Sequence, residues 1–501
     1  MACVITTKRE SLALTWMLRY PVRPWVGPVV VSIFAAFLRF FRLKTPPSLV
    51  FDETYYVKQG YSLLELGYEG RWAEDWDDNF AAGDFSGLSS EADYVVHPPV
   101  GKWLIAFGMR LFGAENSFGW RFMAALLGSL TVLLLARTAT HLFDSSIFGA
   151  AAGFLLAVDG LHLVHSRTAL LDIFLTFFVV AAFATLVRDH LSRRDDPAPP
   201  WFRPWLVATG VLLGLSCGVK WSGIYFAAAF GLVAVIWECS RRLRFGESRW
   251  LAKGLIWDGA SAFVQLIPIT VTTYVATWGA WFTQPAAYMR QWASGHPGAG
   301  VTWLPQGLRS LWEYHARMWD FHNSLSAPHD YSAAPWGWVL QLRPTSFFYD
   351  SPAGCGADSC SQAITSVGNP MLWWGGTLAL LLVFAMWLWW NDGRAGLILA
   401  AIGAGWLPWF IYGSRTIFTF YAVVFAPVMA LALVYAVSLI SRAAPGVNAA
   451  TIAGRRRQSF IVLAVLCCFA LLLAVFFYPV WAAEVIPYEQ WRWRMWLPSW
   501  I

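Results

Sequence analysis

Apolar runs long enough to cross about 30 Å of hydrocarbon as a helix recur along the whole chain, separated by shorter polar stretches. They lie near residues 26–43, 118–142, 146–165, 169–188, 204–220, 222–239, 256–281, 371–390, 395–412, 418–440 and 459–480, which predicts eleven spanning helices. The polar connections differ in charge. Arg188 to Arg203, Arg241 to Lys253 and Arg442 to Arg457 are rich in arginine, as is the start of the chain at Lys8, Arg9, Arg19 and Arg23. Such segments stay on the cytoplasmic side, so the pattern predicts an amino terminus inside and a carboxyl terminus outside. The first apolar run lacks a small-residue cleavage site and reads as a span rather than a signal peptide.

This topology divides the chain into a cytoplasmic segment 1–25 and a transmembrane module 26–281 that carries an external loop 44–117. A second external loop 282–370, the helices of 371–480 and an external aromatic tail 481–501 follow. Inside the first loop, the run up to Phe112 is short and broken by glycine, which predicts helix lying on the membrane surface. The tail, with Trp491, Trp493, Trp496 and Trp500 beside Arg492 and Arg494, reads as an interfacial anchor.

Composition adds a constraint. With 57% hydrophobic and 13% charged residues, only an integral membrane protein fits, and 32 Trp exceed what spanning helices use. The net charge of +6 comes from arginine clusters that topology explains, so nucleic acid is excluded as a partner. Of seven cysteines, only Cys355 and Cys360 share a polar loop. Their spacing without nearby histidine is a poor zinc pattern and reads as a local disulfide in an oxidising compartment.

Candidate chemistry gathers on the external side. Phe51-Asp52-Glu53 puts adjacent carboxylates just beyond the first span, where the plain reading is a solvated loop or helix start. The same loop holds His97-Pro98-Pro99-Val100-Gly101-Lys102. Several cations break the charge bias: Arg39, Arg42, Lys102, Arg121, Arg167, Lys220 and Arg415. Arg39 and Arg42 read as snorkelling to headgroups, whereas Arg121 and Arg415 stand where a membrane-embedded anion would be met. Arg167 and Asp172 either pair with each other across a helix start or face a ligand. In the second loop His322, Asn323, His329, Asp330, Tyr331 and Trp336 suit contact with sugar or peptide. No zinc-hydrolase, Walker or Rossmann motif occurs.

At Phe51-Asp52-Glu53, His97 to Lys102 and Ser166-Arg167 to Asp172, taken in that order, the sequence resembles the protein O-mannosyltransferase family. The resemblance runs end to end and includes the region from Arg415 to Tyr421. It implies an all-α integral membrane fold of the GT-C type and an inverting transfer of mannose from polyprenyl phosphate mannose to Ser or Thr hydroxyls. Loop 282–370 is too short for the beta-rich insertion of eukaryotic members, and arginine far outnumbers lysine, which implies an actinobacterial member. Asp52 would then be the catalytic base and Glu53 its companion. Arg121, Lys102, His97, Arg415 and Arg167 would hold the donor phosphate, and Asp172, His329, Tyr331 and Trp336 the acceptor or sugar. No cofactor or divalent metal is required. The partners implied are the lipid-phosphate donor, secreted Ser/Thr-rich proteins, the secretion translocon and membrane lipids, at the extracytoplasmic face of a bacterial plasma membrane. Two alternatives stand beside it: a GT-C transferase of arabinose or aminoarabinose type acting on lipid or glycan, and a transporter, for which inverted repeats are expected.

Overall fold

The computed structural model describes residues 24–197, 200–442 and 448–501. The segment 1–25, apart from its last two residues, lies outside them. Among the described residues eight helices are long and apolar enough to cross a membrane: Ser117–Phe143, Leu171–Arg193, Gly223–Arg244, Trp250–Ala276, Pro370–Trp390, Gly393–Tyr412, Thr419–Ser441 and Ala449–Trp481. Shorter apolar helices Val26–Phe40, Ser146–Ala157 and Pro204–Val219 occupy the three remaining runs.

Local chemistry explains where the observed helices depart from the hydropathy pattern. The run 146–165 breaks at Asp159, whose side chain accepts the His162 N–H at 3.0 Å and starts a new short helix, Gly160–His165. Asn369 and Trp373 donate to the other oxygen of Asp159, both at 2.9 Å, so the break is tied to the helix Pro370–Trp390. Glycines allow close approach: Gly128 packs directly against Ser166 and beside Arg39, where a Cβ would stand 2.2 Å from the Ser166 hydroxyl.

Arg39 corrects the snorkelling reading. Its side chain is fully buried, donating to the carbonyls of Ala35 and Ala157 at 3.1 and 3.3 Å and to His162 Nδ1 at 2.8 Å. Hydropathy could not show this, because two of its three acceptors, Ala157 and His162, come from a break in another helix.

Outside the long helices the fold is not purely α. Gly70–Trp72 pairs antiparallel with Leu88–Ala92 in the first loop. A second sheet has the order Ser346–Asp350, Cys360–Thr365, Val485–Pro487, again antiparallel. The disulfide between Cys355 and Cys360 closes its first hairpin. Because Val485–Pro487 is recruited as a strand, the tail is built into the protein rather than lying free as an anchor. Trp491 and Trp500 are buried, Trp500 donating to the Gln341 carbonyl at 2.8 Å, while Trp493 stays exposed. In the first loop, helix Val100–Phe112 buries Gly101, Lys102, Ile105, Ala106 and Met109 and exposes Phe107, Leu111 and Phe112. That two-faced pattern suits the surface helix predicted there.

Candidate active site

The turn Phe51-Asp52-Glu53 is held at both ends. Phe51 adopts a left-handed backbone conformation, φ 48°, which costs a non-glycine residue about 1–2 kcal/mol. What offsets it is packing: the Phe51 ring stacks on Phe347 with centroids 4.7 Å apart and meets Phe420 edge-on at 5.5 Å. On the other side Glu53 opens helix Glu53–Leu66 and is fully buried. Its carboxylate accepts from Arg121 Nε and Nη2, both at 2.8 Å, and from the backbone N–H groups of Val50 and Ala169 at 3.0 and 2.8 Å. Between these anchors Asp52 occupies the N-cap position, yet its side chain caps nothing. Its one side-chain partner is the Tyr56 hydroxyl, at 3.5 Å. The carboxylate is therefore positioned by its neighbours and left available.

Next to this turn lies a cavity of about 610 Å³, lined at its polar end by His97, Asp172, Lys220, His322, Arg415 and Tyr421. Lys220 ends helix Pro204–Val219 and Asp172 lies in the first turn of Leu171–Arg193. Their ends meet: Lys220 Nζ donates to Asp172 at 2.8 Å and sits 5.3 Å from the centre of the Tyr421 ring. Arg415 donates through Nη2 to His322 Nδ1 at 3.2 Å, while its Nε has no protein partner. His322 holds its proton on Nε2, which donates to the Val96 carbonyl at 2.8 Å, leaving Nδ1 as the acceptor that Arg415 needs. Trp221 is fixed in turn, its Nε1 donating to the Tyr274 hydroxyl at 2.9 Å and its ring stacked on His315.

The remaining wall is apolar. Leu175, Ile224, Ala227, Ile267, Val271 and Val424 line it. Ile224 and Val271 are at the same time 60% and 55% exposed on the outer surface of their helices. The cavity thus opens beside Gly223–Arg244 and Trp250–Ala276, two of the helices apolar enough to cross a membrane.

Burial pushes the Asp52 carboxyl up to about 6, against the pull of nearby Lys220 and with a smaller push from Asp172. The histidines move the other way. Burial and the charge of Arg415 bring His322 down to about 4, and burial with Lys220 holds His97 well below the usual histidine range.

The residues singled out in the sequence therefore separate. His97, Asp172 and Arg415 come together at the polar end, and Asp52 stands close enough for Lys220 and Asp172 to act on its carboxyl. Arg121, Lys102 and Arg167 do not. All five N–H groups of Arg121 are engaged, by Glu53 and by the carbonyls of Leu43, Pro46 and Ser48. Lys102 is buried against Glu69 and the His97 carbonyl. Arg167 caps the end of helix Val26–Phe40 through the carbonyls of Leu38, Arg39, Phe41 and Arg42, so it does not pair with Asp172. His329 packs on Phe418, which itself meets Phe51 edge-on at 6.4 Å, and its Nδ1 accepts the Tyr331 N–H. These two stand on the rim outside the cavity, and Trp336 is exposed on the surface. Lys220 was visible as an external cation but not assigned; Trp221, Tyr274 and His315 carried no signal that separated them from other aromatics. Among the described residues no three His, Cys, Asp or Glu side chains converge on a metal site. An available carboxylate beside a cation-lined cavity with an apolar wall suits proton removal from a nucleophile while an anion attached to long hydrocarbon departs.

Comparison with known proteins gives a consistent picture. Residues 29–283 match the family described as dolichyl-phosphate-mannose-protein mannosyltransferase, and residues 307–500 the C-terminal four TMM region of protein-O-mannosyltransferase. The polyprenol-phosphate-mannose--protein mannosyltransferase of Mycobacterium tuberculosis (strain ATCC 25618 / H37Rv) is 36% identical, over 96% of this chain and 92% of its own length. The protein of the same name from Corynebacterium glutamicum is 31% identical, over 94% and 92%. In fold, the chain is similar to the S. cerevisiae protein O-mannosyltransferase Pmt1-Pmt2 complex, solved with its sugar donor. There the TM-score is 0.73 at 15% identity, covering 97% of this chain and 94% of that one.

Proposed function

The chain belongs to the dolichyl-phosphate-mannose-protein mannosyltransferase family, and from that premise we propose that it transfers mannose from polyprenyl phosphate mannose to Ser or Thr hydroxyls of proteins, with inversion, at the extracytoplasmic face of the plasma membrane. It is a multi-pass membrane enzyme of the GT-C fold. The observation that carries the reading is the apolar-walled cavity whose polar end, with Lys220 and Arg415, adjoins the free carboxylate of Asp52.

Each part has a job. The apolar wall takes the first isoprene units of the donor, and the phosphate meets Arg415 Nε and Lys220. The acceptor hydroxyl oxygen attacks the anomeric carbon, its proton passes to Asp52, and the bond from that carbon to the phosphate oxygen breaks with its electrons leaving on the polyprenyl phosphate. Charge grows on the leaving oxygen as the bond opens, so cations fixed in a water-poor site act more strongly on the transition state than on the bound donor. Asp172 keeps Lys220 aimed, and His322 keeps Arg415 aimed.

Purified protein incubated with polyprenyl phosphate mannose and a Ser/Thr/Pro-rich peptide is expected to add one hexose to the peptide, with no addition from a nucleotide sugar. Absence of peptide mass gain from well-folded protein, or transfer only of arabinose-type sugars to lipid, would refute the reading. In the same assay Arg415→Ala is expected to lower kcat by about 100-fold, the usual loss on removing one preorganised charge-stabilising donor, and to raise the donor KM. A second expected result concerns pH. Because Asp52 must be ionised to take a proton and its carboxyl titrates at about 6, the transfer rate should climb about tenfold per pH unit below 6 and level off above it. His322, near 4, stays neutral over that climb. A rate that is flat from pH 5 to pH 7 in single turnovers, with donor saturating, would remove Asp52 from the role.

A further inference from the structure

We propose that the outer edge of strand Ser346–Asp350 is the docking site of the acceptor polypeptide, which adds to the sheet as an extended strand and so brings a Ser or Thr hydroxyl to Asp52. The inference rests on the transfer reading above and adds how the protein substrate is held.

The first ground is sheet order. Cys360–Thr365 is the middle strand, with Val485–Pro487 on one side and Ser346–Asp350 on the other, so the far side of Ser346–Asp350 is an edge that no strand covers among the described residues. Hydrogen-bond alternation shows what that edge offers. Tyr488 donates to the Ser359 carbonyl, which sets the odd-numbered residues of the middle strand toward Val485–Pro487. Ser366 donates to the Thr345 carbonyl, which sets the even-numbered ones toward Ser346–Asp350. The even residues Ile364 and Gln362 stand opposite Phe348 and Asp350. Phe348 and Asp350 therefore point their backbone groups inward, and Tyr349 between them turns its N–H and C=O outward. Among the described residues no hydrogen bond from another part of the chain reaches either group.

Placement is the second ground. Phe347, on the same strand, stacks on Phe51 with centroids 4.7 Å apart, and Phe51 directly precedes Asp52. At a rise of about 3.3 Å per residue, a chain paired at Tyr349 reaches the level of Phe347, at the bulge between Ser346 and Phe348, about two to three residues further on. The edge is also firm: the disulfide closes the hairpin, and Gln362 donates to the Ala483 carbonyl at 2.9 Å, tying the sheet to the end of helix Ala449–Trp481.

Chemistry supplies the third. An edge strand exposed to solvent normally carries lysine or proline that discourages pairing. Ser346–Asp350 carries neither; a bulge between Ser346 and Phe348 and the flanking Pro344 and Pro352 confine pairing to the short stretch around Tyr349. Segments rich in Ser, Thr and Pro lack packed structure of their own, so they can lie extended. Strand addition reads backbone rather than side chains, which suits an enzyme that modifies many sequences, and it presents every second side chain to the same face.

The test uses wild-type full-length protein, polyprenyl phosphate mannose and a set of otherwise identical Ser/Thr peptides, each with one backbone N-methyl group. Methylation at the residue facing Tyr349 and at alternate positions should raise the peptide KM by about 10-fold, the worth of one lost hydrogen bond. Intervening positions should tolerate it, and the donor KM should not move. Equal tolerance at all positions, or equal loss at all of them, overturns the proposal while leaving the transfer reading intact. Tyr349→Pro removes the edge donor from the enzyme side and should raise the peptide KM similarly, at unchanged donor KM, relative to Tyr349→Ala, which equally loses the hydroxyl's bond to Ser361 and the ring contact with Trp491 but keeps the backbone N–H. A folded Tyr349→Pro with the peptide KM of Tyr349→Ala also overturns it. Failure of the unmodified peptide to accept mannose at all refutes the transfer reading itself, and this proposal with it.

Discussion

Asp52→Asn is expected to reduce mannosyl transfer to peptide by at least about 100-fold, the scale of one general base, while leaving donor binding and thermal stability close to wild type. The amide keeps the size of the side chain and can still meet the Tyr56 hydroxyl, but it takes no proton from the acceptor. The turn itself should hold, because it is fixed by the Phe51 stack and by Glu53, neither of which involves the Asp52 side chain. Measuring kcat and both KM values on matched, folded protein separates loss of the base from a collapsed loop. Near-normal transfer by folded Asp52→Asn would end the assignment and pass the role to Asp172, since the Glu53 carboxylate already accepts four hydrogen bonds.

Arg121→Ala and Glu53→Ala should act through the fold instead. Each leaves the other's charge fully buried and unpaired, which costs about 3–5 kcal/mol. Glu53→Ala also strips acceptors from the Val50 and Ala169 N–H groups. The expected result is a large drop in thermal stability in detergent and a loss of activity that follows the folded fraction, with the donor KM of the surviving enzyme unchanged. A stable Arg121→Ala protein with a raised donor KM would show that the guanidinium does contact the phosphate.

That pair shows where reading the sequence succeeds and where it stops. Hydropathy locates the helices, because the solvent in which they must be stable imposes long apolar runs whatever the fold. It also places Phe51-Asp52-Glu53 just beyond the end of the first apolar helix. What it cannot do is tell two adjacent carboxylates apart. Glu53 is a strut and Asp52 is free because of Arg121 and Ala169, 68 and 116 residues from Glu53 along the chain. The same holds for cations at helix ends. Arg121 and Lys220 look alike in sequence, yet one is saturated by carbonyls and the other reaches the cavity. The sheet was hidden for a related reason: its strands are three to six residues long, too short for alternation to register, and its third member comes from the tail. His329 and Tyr331 were drawn from a polar aromatic stretch that folds along the rim, where composition alone says nothing about depth.

The buried Arg39 bears on how the molecule is made. Helix Val26–Phe40 leaves the ribosome carrying one charge, close to its carboxyl-terminal end, and at that stage the side chain can reach the Ala35 carbonyl of its own helix and the headgroups. Its permanent partners, Ala157 and His162, are encoded 118 and 123 residues later, on the order of ten seconds of synthesis at about 5–20 residues per second. The guanidinium therefore completes its hydrogen bonds inside the bundle only once the helices around residue 160 have been made. A cell that makes only the first quarter of this protein would hold this helix before Ala157 and His162 exist to meet its charge.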